Sequence, residues 1–277
     1  MGLRAIAPNM APDVVTNIDR RLEAIRGQNN VAIPIAIESG SRAWGFPSPD
    51  SDYDCRFLFV RRLEDYLSPW VKRDVIETPL EGVFDVNGWD LGKALKLMLK
   101  GNAVILEWLT SPIVYCGSAS FRTHFLDLAH RYASRDLIGR HYLHLGERQR
   151  KTYFGDTQNV AQKKVFYALR PAAALRWLRG RPDLAVPPMH FPTLIAEIDL
   201  PSGVREIVDD LLLRKASSRE LGFSAVPRPI LDFIDNEFLL AQSAFGGGRI
   251  HAPTEAHAGA EAFFRETVLR FAEGAQA

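Results

Sequence analysis

The apolar residues of this chain change their spacing near residue 117, and that change limits the fold more than any other feature. Residues 31–37 (VAIPIAI) and 53–60 (YDCRFLFV) are continuous apolar runs rich in β-branched and aromatic side chains, the pattern of strands buried on both faces. Pro34 interrupts the first run and lacks a ladder donor, which puts it on an edge or at a bulge. Val14, Ile18, Leu22 and Ile25 precede these runs at helical spacing. Short extended segments are predicted at 74–77, 83–86 and 113–115, and helices at 91–100, behind Asp90 as a cap, and at 103–109. Residues 38–51, rich in Gly, Ser and Pro, read as a loop.

Beyond Ser118 the helical period dominates, over 121–133, 137–154, 160–179, 203–216, 230–244 and 255–272. Pro171 should kink the third of these, and 180–192 is a proline-bearing loop. Gly246-Gly247-Gly248 reads as a flexible joint, and the tail behind it as a dimer helix or a flap over a cleft. The expected architecture is α/β (α+β): a small mixed-sheet domain over 1–116, then a helical domain over 117–277.

With 47% hydrophobic residues the chain can bury a sizeable core. Its 34 basic and 33 acidic residues leave a net charge of +1, which gives no global pull toward nucleic acid or anionic lipid. Cys55 and Cys116 are isolated, with no spacing for structural zinc. No stretch reaches the roughly 20 apolar residues of a membrane span, and no apolar leader opens the chain. The expectation is a cytoplasmic protein without a membrane partner.

The sharpest local feature is Gly40-Ser41, then ten intervening residues, then Asp52-Tyr53-Asp54. Glycine lets a backbone approach a phosphate closely, and a serine hydroxyl beside free N–H groups can hold phosphate oxygens. On a strand, residues i and i+2 share a face, so Asp52 and Asp54 would present two carboxylates together. Such a pair favours a hard cation, Mg²⁺ above all, shared with substrate phosphates. Asp85, between Phe84 and Val86, offers a third carboxylate. Asp90 is its rival, although a helix N-cap is the stronger reading of Asp90. The run Asp50-x-Asp52-x-Asp54 is no calcium loop, because Cys55 and Arg61 stand where glycine and glutamate are needed. Gly40-x4-Gly45 is no Walker loop, because Phe46-Pro47 replaces Lys-Ser/Thr.

As a set, apolar strand, Gly40-Ser41, Asp52-x-Asp54 and a hydrophobic-Asp85-hydrophobic strand resemble the signature of the DNA-polymerase-β-like nucleotidyltransferase superfamily. Gly88-Trp89-Asp90-Leu91, Gly101-Asn102, Glu107-Trp108-Leu109, 111–115 (SPIVY) and 166–171 (FYALRP) with Trp177 are similar to its RNA-ligase-associated subgroup, over about 31–180. Two positions depart from the subgroup pattern: Ala103 stands where proline is usual, and Gly92 where arginine is usual. The resemblance implies transfer of a nucleoside monophosphate from an NTP such as ATP to an acceptor hydroxyl, with Mg²⁺, or Mn²⁺ in its place, as cofactor. It implies Asp52, Asp54 and Asp85 as catalytic metal ligands, the last also drawing the acceptor proton, and Gly40 and Ser41 as the triphosphate cradle. RNA repair, with an RNA end as acceptor and an RNA ligase as partner, is the favoured setting. A nucleotide-binding regulatory module, or a nucleotidyltransferase that modifies a protein or small molecule, is the alternative.

Lys163, Tyr167 and Arg170 fall at i, i+4 and i+7 on one helix face and, with Arg42 beside the Gly-Ser turn, are the other candidate nucleotide-binding residues. Trp44 either stacks on a base or staples the loop to the core. Lys93 and Lys96 read as groove-lining or solvated, and Arg148, Arg150 and Lys151 form a small basic cluster. His141 and His144 have metal-compatible spacing but no evident third ligand.

Overall fold

Helix α1 (Pro12–Asn29) opens with proline in its first turn and closes where Asn30 turns left-handed, at φ 51°. Its buried stripe, Val15, Ile18, Leu22 and Ile25, faces the sheet that follows. The computed structural model describes residues 2–217, 222–247 and 254–274. The first half continues through β1 (Val31–Glu38), α2 (Gly40–Ala43), β2 (Tyr53–Arg61), α3 (Leu63–Leu67), β3 (Val75–Glu77), β4 (Phe84–Asp90), α4 (Leu91–Leu99), α5 (Ala103–Thr110) and β5 (Val114–Gly117). The five strands form one mixed sheet in the order β3-β4-β2-β1-β5. β1 runs antiparallel to β2 and β5, and β2 runs parallel to β4.

Both faces of the sheet are covered, which is why β1 and β2 read as unbroken apolar runs. Ile33, Ala36, Cys55, Phe57, Phe59 and Val86 pack with α1, whereas Ile35, Ile37, Leu58 and Val60 join the core on the other face. Ile33 and Ile35 therefore lie on opposite faces although two residues apart. A register shift between Ala32 and Ile35 explains it: the strand bulges at Pro34, where no N–H is available for the ladder.

The second half comprises α6 (Ala119–Tyr132), α7 (Arg135–Tyr153), β6 (Val160–Ala161), α8 (Gln162–Gly180), α9 (Phe191–Ala196), α10 (Val204–Ser217), β7 (Phe223–Ser224), α11 (Arg228–Phe245) and α12 (Thr254–Gly274). α8 is buried around much of its circumference between α7 and α11, and it continues through Pro171 as one helix. The apolar core does not stop at residue 117: one cluster runs from Ile37 and Leu58 through Trp108 to Phe166, Leu175 and Phe238.

Three elements differ from the sequence reading. The 38–51 loop contains the helical turn α2, closed by Trp44 N–H to the Gly40 carbonyl at 2.9 Å. Residues 160–161 pair with β7 instead of starting α8. The final helix is not a flap over the cleft described below. It packs on α4, α6 and β2, with Phe264 against Tyr66 and Phe263 against Phe125, at ring separations of 5.0 and 5.1 Å. Gly248, the last residue of the expected glycine joint, lies outside the described residues. No helix among the described residues is long and apolar enough to cross a membrane.

Candidate active site

The site forms where β1 ends and β2 and β4 begin. Glu38, the last residue of β1, is fully buried; it accepts the Tyr115 hydroxyl and, at 2.9 Å, the Asp54 backbone N–H. Burial pushes its carboxyl up to about 7, against the opposing pull of those two donors. The Ser39 N–H reaches back to the Asp54 carbonyl at 2.8 Å, so the start of β2 is clamped on both backbone groups. Gly40 then turns at φ +59°, and a Cβ there would lie 1.8 Å from Asp54 Oδ2. Only glycine fits this close passage of the α2 backbone over the carboxylate.

Ser41 Oγ donates to Ser51 Oγ at 3.0 Å, and Ser51 Oγ also accepts the Ser48 N–H at 2.9 Å. The three serines line the cleft beside Gly40, Asp52 and Asp54. Arg42 does not point freely into it. Its guanidinium donates to the Ser51 and Asp52 carbonyls at 2.6 and 3.1 Å and lies 3.8 Å from the Tyr53 ring centre, bracing the loop that carries Asp52.

Asp54 and Asp85 are direct register partners, each the second residue of its strand in the parallel pair β2–β4. Parallel pairing puts both carboxylates on one face at one edge of the sheet. Arg56, two residues beyond Asp54 and on the same face, bridges them, with Nη2 3.3 Å from Asp54 Oδ1 and 2.6 Å from Asp85 Oδ2. Asp54 is held above the usual carboxylate range, first by burial and then by the Asp85 and Asp52 charges, with Arg56 opposing. Among the described residues no three Asp, Glu, His or Cys side chains are gathered as a ready metal cage, a finding that covers His141 and His144 as well.

Asp90 is at the other end of β4, in register with Phe59. Its carboxylate caps α4 by accepting the Gly92 N–H at 2.8 Å and also takes the Tyr66 hydroxyl at 2.8 Å. Asp90→Ala is therefore expected to cost about 0.5–2 kcal/mol in urea unfolding while nucleotide binding stays native. A loss of nucleotide affinity with unchanged stability would move the third carboxylate to Asp90. Gly92, the departure noted above, faces Phe264 of α12 and not the cleft.

The opposite wall comes from the helical half. Lys163, Lys164 and Tyr167 of α8 and Lys215 of α10 face the serines and carboxylates across a cavity of about 380 Å³. Lys164 Nζ lies 4.5 and 4.6 Å from the Tyr153 and Tyr167 ring centres. Lys215 is buried against Phe46, which pushes its ammonium down to about 8; Asp50 counters this in part and Lys163 adds to it. Arg170, the third residue of the expected basic face, is not brought into the cleft. It sits about 10 Å further along the helix axis, is buried, and pairs with Glu107. Glu107 also accepts Tyr142 Oη–H at 2.9 Å and Trp44 Nε1–H at 3.4 Å, and the Arg170 guanidinium lies 4.3 Å from the Trp44 ring centre. Trp44 is thus stapled to the core from below and lines the cleft as well.

Lys164, Lys215, Arg56 and Glu38 were missed by the sequence reading, yet two carried a signal. Lys215 continues the buried series Val204, Val208, Leu211, where an apolar residue is due. Arg56 follows Asp54 by two on the same strand face.

An acidic strand edge under a glycine turn, facing lysines from a helical half, can bind a polyanion through bridging cations. Residues 14–265 match the RlaP family, described as the RNA repair pathway DNA polymerase beta family. The chain belongs to the RlaP family. It is also 39% identical over 216 residues to the uncharacterized protein YcgL of Bacillus subtilis (strain 168), covering 78% of this chain and 82% of that protein. The RlaP match extends past residue 180, where the resemblance read from motifs faded, and takes in Lys215 and most of α12. In this RlaP chain the polymerase-β-like signature and the lysine wall belong to one continuous match.

Proposed function

We propose that this chain transfers a nucleoside monophosphate from an NTP to an acceptor hydroxyl, an RNA end being the favoured acceptor, and releases pyrophosphate. The carrying observation is the Gly40 turn over Asp54, with Asp85 in register and three lysines opposite. All-oxygen donors at Asp52, Asp54 and Asp85, shared with substrate phosphates, suit Mg²⁺ or Mn²⁺. When bound, such ions spread the charge that develops in an in-line displacement.

The chain's own residues do the rest. The Gly40–Ser41 backbone with the Ser48 and Ser51 hydroxyls holds phosphate oxygens, and Lys163, Lys164 and Lys215 neutralise the triphosphate. Trp44 and Tyr167, with rings 6.3 Å apart and edge to face, wall the nucleobase side. The acceptor oxygen attacks the α-phosphorus, its proton passes to Asp85, and the bond to the β-phosphate oxygen breaks. Dependence on NTPs and RNA ends suits a cytoplasmic protein working with an RNA-repair ligase.

Lys215 supplies a direct test. Its ammonium is charged below about 8, so its attraction for phosphate is lost as pH rises through that value. NTP affinity, by calorimetry with Mg²⁺, should fall by up to about tenfold between pH 7 and 9, with proton uptake on binding near pH 8. Lys215→Met should bind more weakly at pH 7 and flatten the profile. Absence of NTP binding to the native chain at either pH would sink the reading.

A further inference from the structure

The metal-competent carboxylates already share a cation, and it is covalently part of the chain. Arg56 makes four polar contacts: Asp54 Oδ1 at 3.3 Å, Asp85 Oδ2 at 2.6 Å, and the Asp85 and Cys55 carbonyls at 2.8 and 3.0 Å. Its side chain is 18% exposed, so it is a built-in member of the cluster and not a surface arginine at rest. Asn87 Nδ2 takes the other Asp85 oxygen, Oδ1. Both Asp85 oxygens therefore face donors, and a carboxylate whose lone pairs are engaged in this way is less available as a metal ligand. A guanidinium and a divalent ion cannot both occupy the space between Asp54 and Asp85.

We propose that Arg56 is a positioning residue that withholds Asp85 from the divalent cation until nucleotide draws the guanidinium away, an inference that rests on the nucleotidyltransferase reading. Arg56 lines the same cleft as Lys163, Lys164 and Lys215, so phosphate oxygens bound there come within its reach. The planar fork that now spans two carboxylates is equally suited to phosphate. Release frees Asp85 Oδ2 at the moment the donor arrives. Binding order follows: nucleotide first, full carboxylate coordination second. The device keeps the free protein from assembling a complete metal centre that water could use.

The test is Mn²⁺ titration without nucleotide, read by electron paramagnetic resonance, on the native full-length chain, Arg56→Gln and Arg56→Lys. Arg56→Gln should bind Mn²⁺ at least about tenfold tighter than native, because one competing charge within a few ångströms is removed. Arg56→Lys should stay close to native, and adding Asp54→Asn to Arg56→Gln should abolish the gain. Arg56→Met serves as a second neutral variant if Arg56→Gln does not fold. Equal affinity in the native and neutral chains would overturn the proposal and leave the nucleotidyltransferase reading to its own nucleotide-binding test. Mn²⁺ bound by neither chain would overturn the proposal too, and loss of NTP binding as well would take the broader reading with it.

Discussion

Asp54→Asn should lower nucleotidyl transfer about a thousandfold or more, the scale on which a single charge-stabilising group acts in a sheltered site, while the protein stays folded. Asp54 is the point where the site's constraints meet. Its N–H is held by Glu38, its Oδ2 lies under Gly40, its Oδ1 faces Arg56, and its register partner is Asp85. Asparagine keeps the size and the backbone clamp and removes the charge. Burial and two neighbouring carboxylates already raise the cost of that charge, so its removal relieves strain in the free protein. Melting should therefore be unchanged or slightly higher, with activity gone. Transfer within tenfold of native would show that the carboxylate lies outside the chemistry.

Glu107→Ala should destabilise the chain by about 3–5 kcal/mol, the usual cost of stranding one partner of a buried ion pair. Glu107 is buried and serves three donors: Arg170, the Tyr142 hydroxyl and the Trp44 indole. Without it a guanidinium remains in the core with no counter-charge, and Trp44 loses the anchor of the loop behind α2. The check is the urea midpoint at unchanged slope. Adding Arg170→Met should recover part of the loss, because no charge is then left uncompensated. A cost below about 1 kcal/mol would mean that the pair is solvated and does not tie the helical half to the cleft.

Local chemistry was legible in the sequence wherever it rested on neighbours along the chain. The runs around Ile35 and Phe57 became the central strands because burial on both faces demands continuous apolar residues. Asp90 read as a cap because a helix follows at once, and its carboxylate does accept the Gly92 N–H. Pro34 called for an edge or a bulge, and the register slips there. The missed residues depend on long-range packing. Nothing near Lys215 says that α10 passes the mouth of β2, and nothing near Phe264 says that the last helix docks on α4. Arg170 misled because a shared helix face was read as a shared depth. Two turns along α8 separate a cleft residue from a core residue, and only the buried position of Glu107 shows which is which.

The central claim is tested most directly by incubating the native chain and Asp54→Asn with each α-labelled NTP, Mg²⁺ and a pool of small RNAs. Label on RNA and pyrophosphate would be followed together. A nucleotidyltransferase should give label transfer with equimolar pyrophosphate from the native chain alone. No label, no pyrophosphate and no bound nucleotide, with Mg²⁺ or with Mn²⁺, would contradict it.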